Sequence, residues 1–238
     1  MKLQIAFPVS WASRAAWRGV SSFIAIFSLA AMPSLDAQDA SAVAAIDALA
    51  DERVRAAVRA IFQSAAASGI PIAPLVTKLR EGIAKHAEPE RIRNATAMLA
   101  TRLENAASAL APSRSPDELG AGADALQAGV AMGTLRDMRR VWPVKSLTVP
   151  LGVLVELVSS GVPKAAATRR VRELLVQGAT TTQLAALGTN VRADIAAGLA
   201  PDASMELRSK GVLSMLIQQN TAASSAASPT RPPGRPRP

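Results

Sequence analysis

Two short stretches constrain the fold more than any others: Ala67-Ser68-Gly69-Ile70-Pro71 and Ser159-Ser160-Gly161-Val162-Pro163. In each, Gly can take the left-handed position just past a helix end, the branched apolar residue can fold back on the last turn, and Pro suits the start of the next helix. Laying Gly69 on Gly161 matches Pro71 with Pro163, Arg80-Glu81 with Arg172-Glu173, Leu79 with Val171, Ile83 with Leu175, Ile92 with Leu184 and Leu103 with Ile195, without gaps. Identity is low, but corner and apolar phase coincide, which is the mark of a helix-turn-helix repeat. Gly129-Val130 marks a worn third corner.

The rest of the chain agrees with a helical fold. Ala supplies 50 of 238 residues, and Tyr and Cys are absent, so helix is favoured by propensity and disulfide or thiolate-metal scaffolds are excluded. From Ser41 to about Ala67, apolar residues at Val43, Ile46, Ala50, Val54, Ala57 and Ile61 recur every three or four positions, which predicts one long helix. Further helices are expected from Ile72, after Glu88-Pro89-Glu90, and after Ser115, where Ser-Pro-Asp-Glu has the form of a capping box. That last helix contains Gly120, Gly122 and Gly129, so it should be either weak or closely packed. Leu147 to Ser159 is the most apolar stretch after the N-terminal segment and is expected at the centre of the core. Thr148-Val149 would also suit a strand, but one with nothing to pair with. A final helix is expected from Asp202 to Gln219, with Gly211 as its candidate break. The fold class is therefore all-α, eight or nine helices in irregular helix-turn-helix repeats that form a multi-helix bundle or a short α-solenoid-like stack, with repeat-like halves near 60-110 and 151-200.

Both ends differ from the middle. Lys2, Arg14 and Arg18 precede an uncharged run from Gly19 to Met32, and a small residue follows at Ala37. This order is that of a secretory signal peptide over residues 1-37, and the run is shorter than the ~20 residues a membrane-spanning helix needs. Residues 38-220 form the expected helical domain, periplasmic or secreted, with no transmembrane span after cleavage. Residues 221-238 hold no large apolar side chain and should be disordered, ending in a tail with Arg231, Arg235 and Arg237.

The formal charge of +9 overstates how basic the middle is, because residues 1-37 and 221-238 supply more than half of it. Phe62 and Trp142 are the only aromatics beyond the N-terminal segment, so the stacking platforms of single-stranded nucleic-acid sites are missing, and nucleic acid is not an expected partner. Only one histidine, His86, is present. A histidine-based zinc site lacks its ligands, and His86, the one candidate base for nucleophilic catalysis, is expected at a helix end, where its place suits a structural role. No cofactor or metal is implied, and there is no phosphate-binding glycine loop.

Candidate binding residues are Trp142 with Arg136, Arg139, Arg140 and Lys145 around it, which combine an interface-type aromatic with positive charge, and the tail arginines. The alternative for Trp142 is a core residue beside a solvated basic face. Glu156, the one acid in its apolar helix, is the candidate for a carboxylate-dependent hydrolase or lyase if it is buried alone. The sequence favours an exported, non-catalytic helical interaction or scaffold protein, whose partner is another protein or an anionic envelope component. The carboxylate enzyme, and a membrane or anionic-polymer binder acting through the tail, remain as alternatives. The signal-peptide reading has a direct consequence: the protein recovered from the envelope fraction should begin at Gln38, and N-terminal sequencing that finds Met1 intact would overturn it.

Overall fold

A computed structural model of the chain describes residues 35–226. Among them every regular element is a helix: α1 (Leu35–Asp47), α2 (Glu52–Ala67), α3 (Ala73–Ala84), α4 (Pro89–Ala109), α5 (Pro116–Gln127), α6 (Met132–Val141), α7 (Thr148–Ser159), α8 (Lys164–Val176), α9 (Thr181–Ala196) and α10 (Pro201–Ala226). The substantial packing is always between helices one or two places apart in the chain. This near-neighbour pattern is that of stacked helical units. The closest packing runs along α2, α4, α5, α7, α9 and α10, with α1/α3 and α6/α8 forming two further pairs beside that row.

The corners behave as their sequence requires. Gly69 and Gly161 take φ of +65° and +92°, and the next residue donates its N–H to a carbonyl five residues back, Ile70 to Ala65 at 2.9 Å and Val162 to Leu157 at 3.0 Å. Ile70 and Val162 are thereby folded under and buried. The same 6→1 closure ends α5 (Val130 to Ala125, 2.9 Å), α8 (Ala179 to Leu174, 2.9 Å) and α9 (Leu199 to Asp194, 3.0 Å). It also ends α3, where His86 stands at the left-handed position with φ +50° and Ala87 donates to Gly82 at 3.0 Å. His86 and Gly178 lie at the same offset as Gly69 and Gly161. At that offset α2 and α7 end together, α3 and α8 end together, and α4 and α9 start together. His86 is a terminator here, and its substitution for Gly hides this second shared corner from the sequence.

Several boundaries differ from expectation. The long first helix is two, because Asp51 caps α2 by accepting the Val54 N–H at 3.0 Å while Arg55 closes the end of α1 through the Leu49 carbonyl at 3.1 Å. The apolar spacing runs through the break and conceals it. Neither corner proline sits inside its helix: Pro163 is the N-cap of α8 and Pro71 precedes the Ile72 N-cap of α3. Thr148 opens α7 and no strand forms at Ser146–Val149. Helix α10 passes Gly211 unbroken and continues through Ala226, beyond the expected end of structure near Asn220. A single exposed Gly costs only about 1 kcal/mol, and Met205 before it and Val212 and Leu216 after it are buried in the core. Residues 227–238, with Arg231, Arg235 and Arg237, lie outside the described residues.

The core is mainly leucine. Leu75, Leu79, Leu103, Leu119, Leu135, Leu151, Leu154, Leu157 and Leu174 are among its fully buried side chains. Helix α7 packs between α5 and α9 and buries Pro150, Leu151, Val153, Leu154 and Leu157, as its apolar composition predicts. The glycines of α5 divide. A Cβ on Gly122 would stand 2.8 Å from Leu110 Cδ1 and 2.9 Å from Ala106 Cβ, whereas one on Gly120 would meet nothing within 4 Å. Gly122 is thus what lets α5 approach α4. Gly122→Ala should cost about 1–3 kcal/mol through overpacking, and Gly120→Ala should stabilise by up to about 1 kcal/mol through helix propensity. Urea unfolding of the two variants checks whether the signs are opposite.

Candidate functional site

The residues around Trp142 form a structural clip rather than an open binding patch. Trp142 is 6% exposed and its indole N–H donates to the Leu175 carbonyl at 3.3 Å, tying the end of α6 to α8. As an interface aromatic it is therefore corrected to a core residue, with Lys145 Nζ 4.9 Å from the ring centroid on its outer side. Arg139 also turns inward. Its guanidinium donates to the carbonyls of Leu110 at 3.2 Å, Trp142 at 3.0 Å and Lys145 at 3.0 Å, and Nη2 lies 2.6 Å from Glu118 Oε1. Arg136 and Arg140 are exposed, the latter paired with Asp137 at 2.9 Å.

Glu118 does not close a capping box. Ser115 does cap α5, accepting the Glu118 N–H at 3.4 Å, but the Glu118 carboxylate points into the protein, is 4% exposed and accepts the Leu147 N–H at the entry to α7. Burial pushes its pKa up, but hydrogen bonds from Ser113, the Leu147 N–H and Arg139, with the Arg139 charge, outweigh this and hold it below the ordinary carboxylate value. The pair joins the α4–α5 turn to the α6–α7 loop. Above it lies an open cleft of about 390 Å³ bordered by Pro112, Ser113, Pro143, Val144 and Lys145. Sequence spacing could not reveal this contact, because the partners stand on different helices, α5 and α6, and Glu118 sits where a capping acid is ordinary.

Glu156 is not a lone buried acid. Its carboxylate pairs with Arg192 on α9 at 3.0 Å and the side chain is 29% exposed. It packs on Gly188, where a Cβ would approach Oε2 to 2.8 Å, so the absent side chain makes room for the carboxylate. Other acids are similarly engaged. Asp194 accepts the Ser204 hydroxyl at 2.9 Å and two Arg208 nitrogens at 2.7 and 2.6 Å; chiefly the Arg208 hydrogen bonds lower its pKa to about 2. Glu206 joins α10 to α8 through Arg170. Glu81 is held to about 2, first by its hydrogen bond from Lys85 and then by Lys78. No cluster of three or more potential metal-binding side chains occurs among the described residues, and none of their helices is long and apolar enough to cross a membrane.

Charge is distributed unevenly along the stack. Helices α5 and α7 carry acids only, Asp117, Glu118, Asp124 and Glu156, whereas α6 and α8 carry seven Lys and Arg against Asp137 and Glu173. Between α6 and α8 runs an open groove of about 510 Å³, floored by Val130, Ala131 and Ala165 and lined by Thr134, Thr168, Lys164, Arg169 and Arg172. Lys164 Nζ is held by the Gly129 carbonyl at 2.9 Å. Arg169 and Arg172 are exposed and make no hydrogen bond or ion pair among the described residues. The sequence held one sign of this site, the repeated Arg80 and Arg172, but not its pairing with α6.

No known family model matches the chain, and neither a curated protein nor a solved structure is similar to it. Function must therefore be argued from the chain's own geometry.

The buried pair makes a stability prediction. Because the folded-state pKa of Glu118 is depressed, its contribution is complete above the ordinary carboxylate value of 4.5 and is lost as pH falls through the lower folded value. Glu118→Ala leaves Arg139 buried without its counter-charge and should cost about 3–5 kcal/mol at neutral pH. Glu118→Gln should flatten the part of the acid-induced loss that this group causes. Trp142 fluorescence during urea unfolding at several pH values reports both.

Proposed function

We propose that the chain is an exported, non-catalytic helical interaction protein of the cell envelope, which holds a partner against the α6/α8 side of its stack. The observation that carries this reading is the α6/α8 groove, whose two arginines are exposed and unpaired while the acids best placed for chemistry are engaged in ion pairs. Glu156 is paired with Arg192 at 3.0 Å and its side chain is 29% exposed, so it lacks the isolation in an apolar site that a hydrolase or lyase acid would need. Stacked helices present an extended surface without any moving part, which suits a scaffold. The basic N-terminal segment supports export, and the tail arginines add charge of the same sign as the groove.

The test is site-specific photo-crosslinking in cells that produce the full chain, with the photoreactive residue at Thr168 in the groove or at Thr182 on α9. A discrete adduct in the envelope fraction from position 168, and none from position 182, is the expected result. No adduct from either position, together with a cellular defect in Glu156→Gln at unchanged thermal stability, would replace this reading with the carboxylate enzyme.

A further inference from the structure

The α6/α8 groove has features that narrow the chemistry of its occupant. Arg169 and Arg172 are three residues apart and share one helix face. From Lys164 to Arg172 the groove wall is about 12 Å long at the helical rise, the length of roughly four extended residues. Neither α6, whose N-cap is Ala131, nor α8, whose N-cap is Pro163, has a side-chain cap. Ala131, Lys164 and Ala165 all border the groove, so two helix N-termini add their partial positive charge to that of the arginines. The one acid on the wall, Asp137, is neutralised by Arg140 at 2.9 Å.

The equivalent pair in the first half of the chain shows what a satisfied groove looks like. There Arg80 on α3 reaches across to α1 and donates to Ser41 Oγ at 3.0 Å. At the offset that aligns the helix ends, Arg80 falls on Arg172 and Ser41 on Gly133. Gly133 has open space where a side chain would stand. The second half therefore keeps the arginine and lacks the hydroxyl that would hold it.

The stretches outside the described residues share the sign of the groove and do not complement it: residues 1–34 contain Lys2, Arg14 and Arg18 and no Asp or Glu, and residues 227–238 contain Arg231, Arg235 and Arg237 and no Asp or Glu. Charge complementarity favours an anionic occupant from another molecule. It must offer carboxylates at the spacing of two arginines on one helix face, and a small apolar group for the Val130, Ala131 and Ala165 floor. An apolar floor between the cations does not suit a continuous phosphate backbone, which binds through an uninterrupted run of cations.

The geometry points to a docking site in this groove for a short, extended acidic segment of a partner protein, with Arg169 and Arg172 binding its carboxylates and the floor taking an intervening apolar side chain. This rests on the interaction-protein reading above and specifies the partner's chemistry.

The experiment is fluorescence anisotropy on the purified full chain, using as probe a labelled peptide of four glutamates around one leucine, and its glutamine counterpart, at low and at physiological salt. The glutamate peptide should bind about tenfold or more tightly than the glutamine peptide, a difference of about 1.4 kcal/mol or more. The exposed pair Arg169→Ser, Arg172→Ser should remove that preference, with the helical circular dichroism unchanged. Arg91→Ser, Arg114→Ser removes the same charge elsewhere and should alter binding less than about twofold. Equal binding of the two peptides, equal loss in the control pair, or displacement of the peptide from the groove by a DNA duplex at lower concentration would each overturn the assignment. If the peptide fails while the Thr168 crosslink still forms, the acidic-segment assignment falls and the interaction reading stands.

Discussion

The buried ion pair between Glu118 and Arg139 fixes the joint at the middle of the stack. It lies where the α4–α5 turn meets the α6–α7 loop, the two places where the helical pattern is most irregular. Arg139 satisfies carbonyls from both connections, and Glu118 accepts the N–H that opens α7. Backbone groups at such joints lose water on folding and must find other partners. One buried side-chain pair supplies them, and the charges are tolerated because each is surrounded by partners. With both joints fixed, α5 and α7 can pack together, and α7 can present its apolar faces to its neighbours.

The same joint explains why the basic residues clustered near Trp142 do not form one surface. Arg139 is used internally, Trp142 closes the end of α6 against α8, and Lys145 covers the indole ring. Arg136 and Arg140 remain on the outside of α6. Two helices further on, in α8, Arg169 and Arg172 are instead exposed and, among the described residues, unpaired. The two sites differ in state: Arg139 has its acid in place, whereas Arg169 and Arg172 have none, because the one acid of their groove, Asp137, is paired with Arg140.

Much of the architecture was legible locally. The corners at Gly69 and Gly161, the Ser115 cap, the central place of α7 and the absence of strands among the described residues follow from residues close together in the chain. The errors were also local. Asp51 divides a helix whose apolar spacing continues across the break, and Thr221–Ala226 extend α10 because Ala- and Ser-rich sequence can prolong an already anchored helix. The candidate site was less legible. Trp142 could be read either as an interface residue or as core, and only the Leu175 carbonyl beside its N–H decides between them. Glu156 looked solitary because Arg192 is distant in sequence.

By itself the sequence determined that this protein is helical, where most of its helices end, and that it has too few histidines, cysteines and aromatics for common metal, thiol or base-stacking sites. Those properties depend on residue type and on neighbours within one or two turns. Only the tertiary structure decided which charges are spent and which are free. Arg139 and Arg172 are the same residue type on similar helices, but one is enclosed by Glu118 and three carbonyls, while the other borders an open groove and is exposed. The free energy of a charge depends on its surroundings, and those surroundings come from chain segments that the sequence order keeps apart.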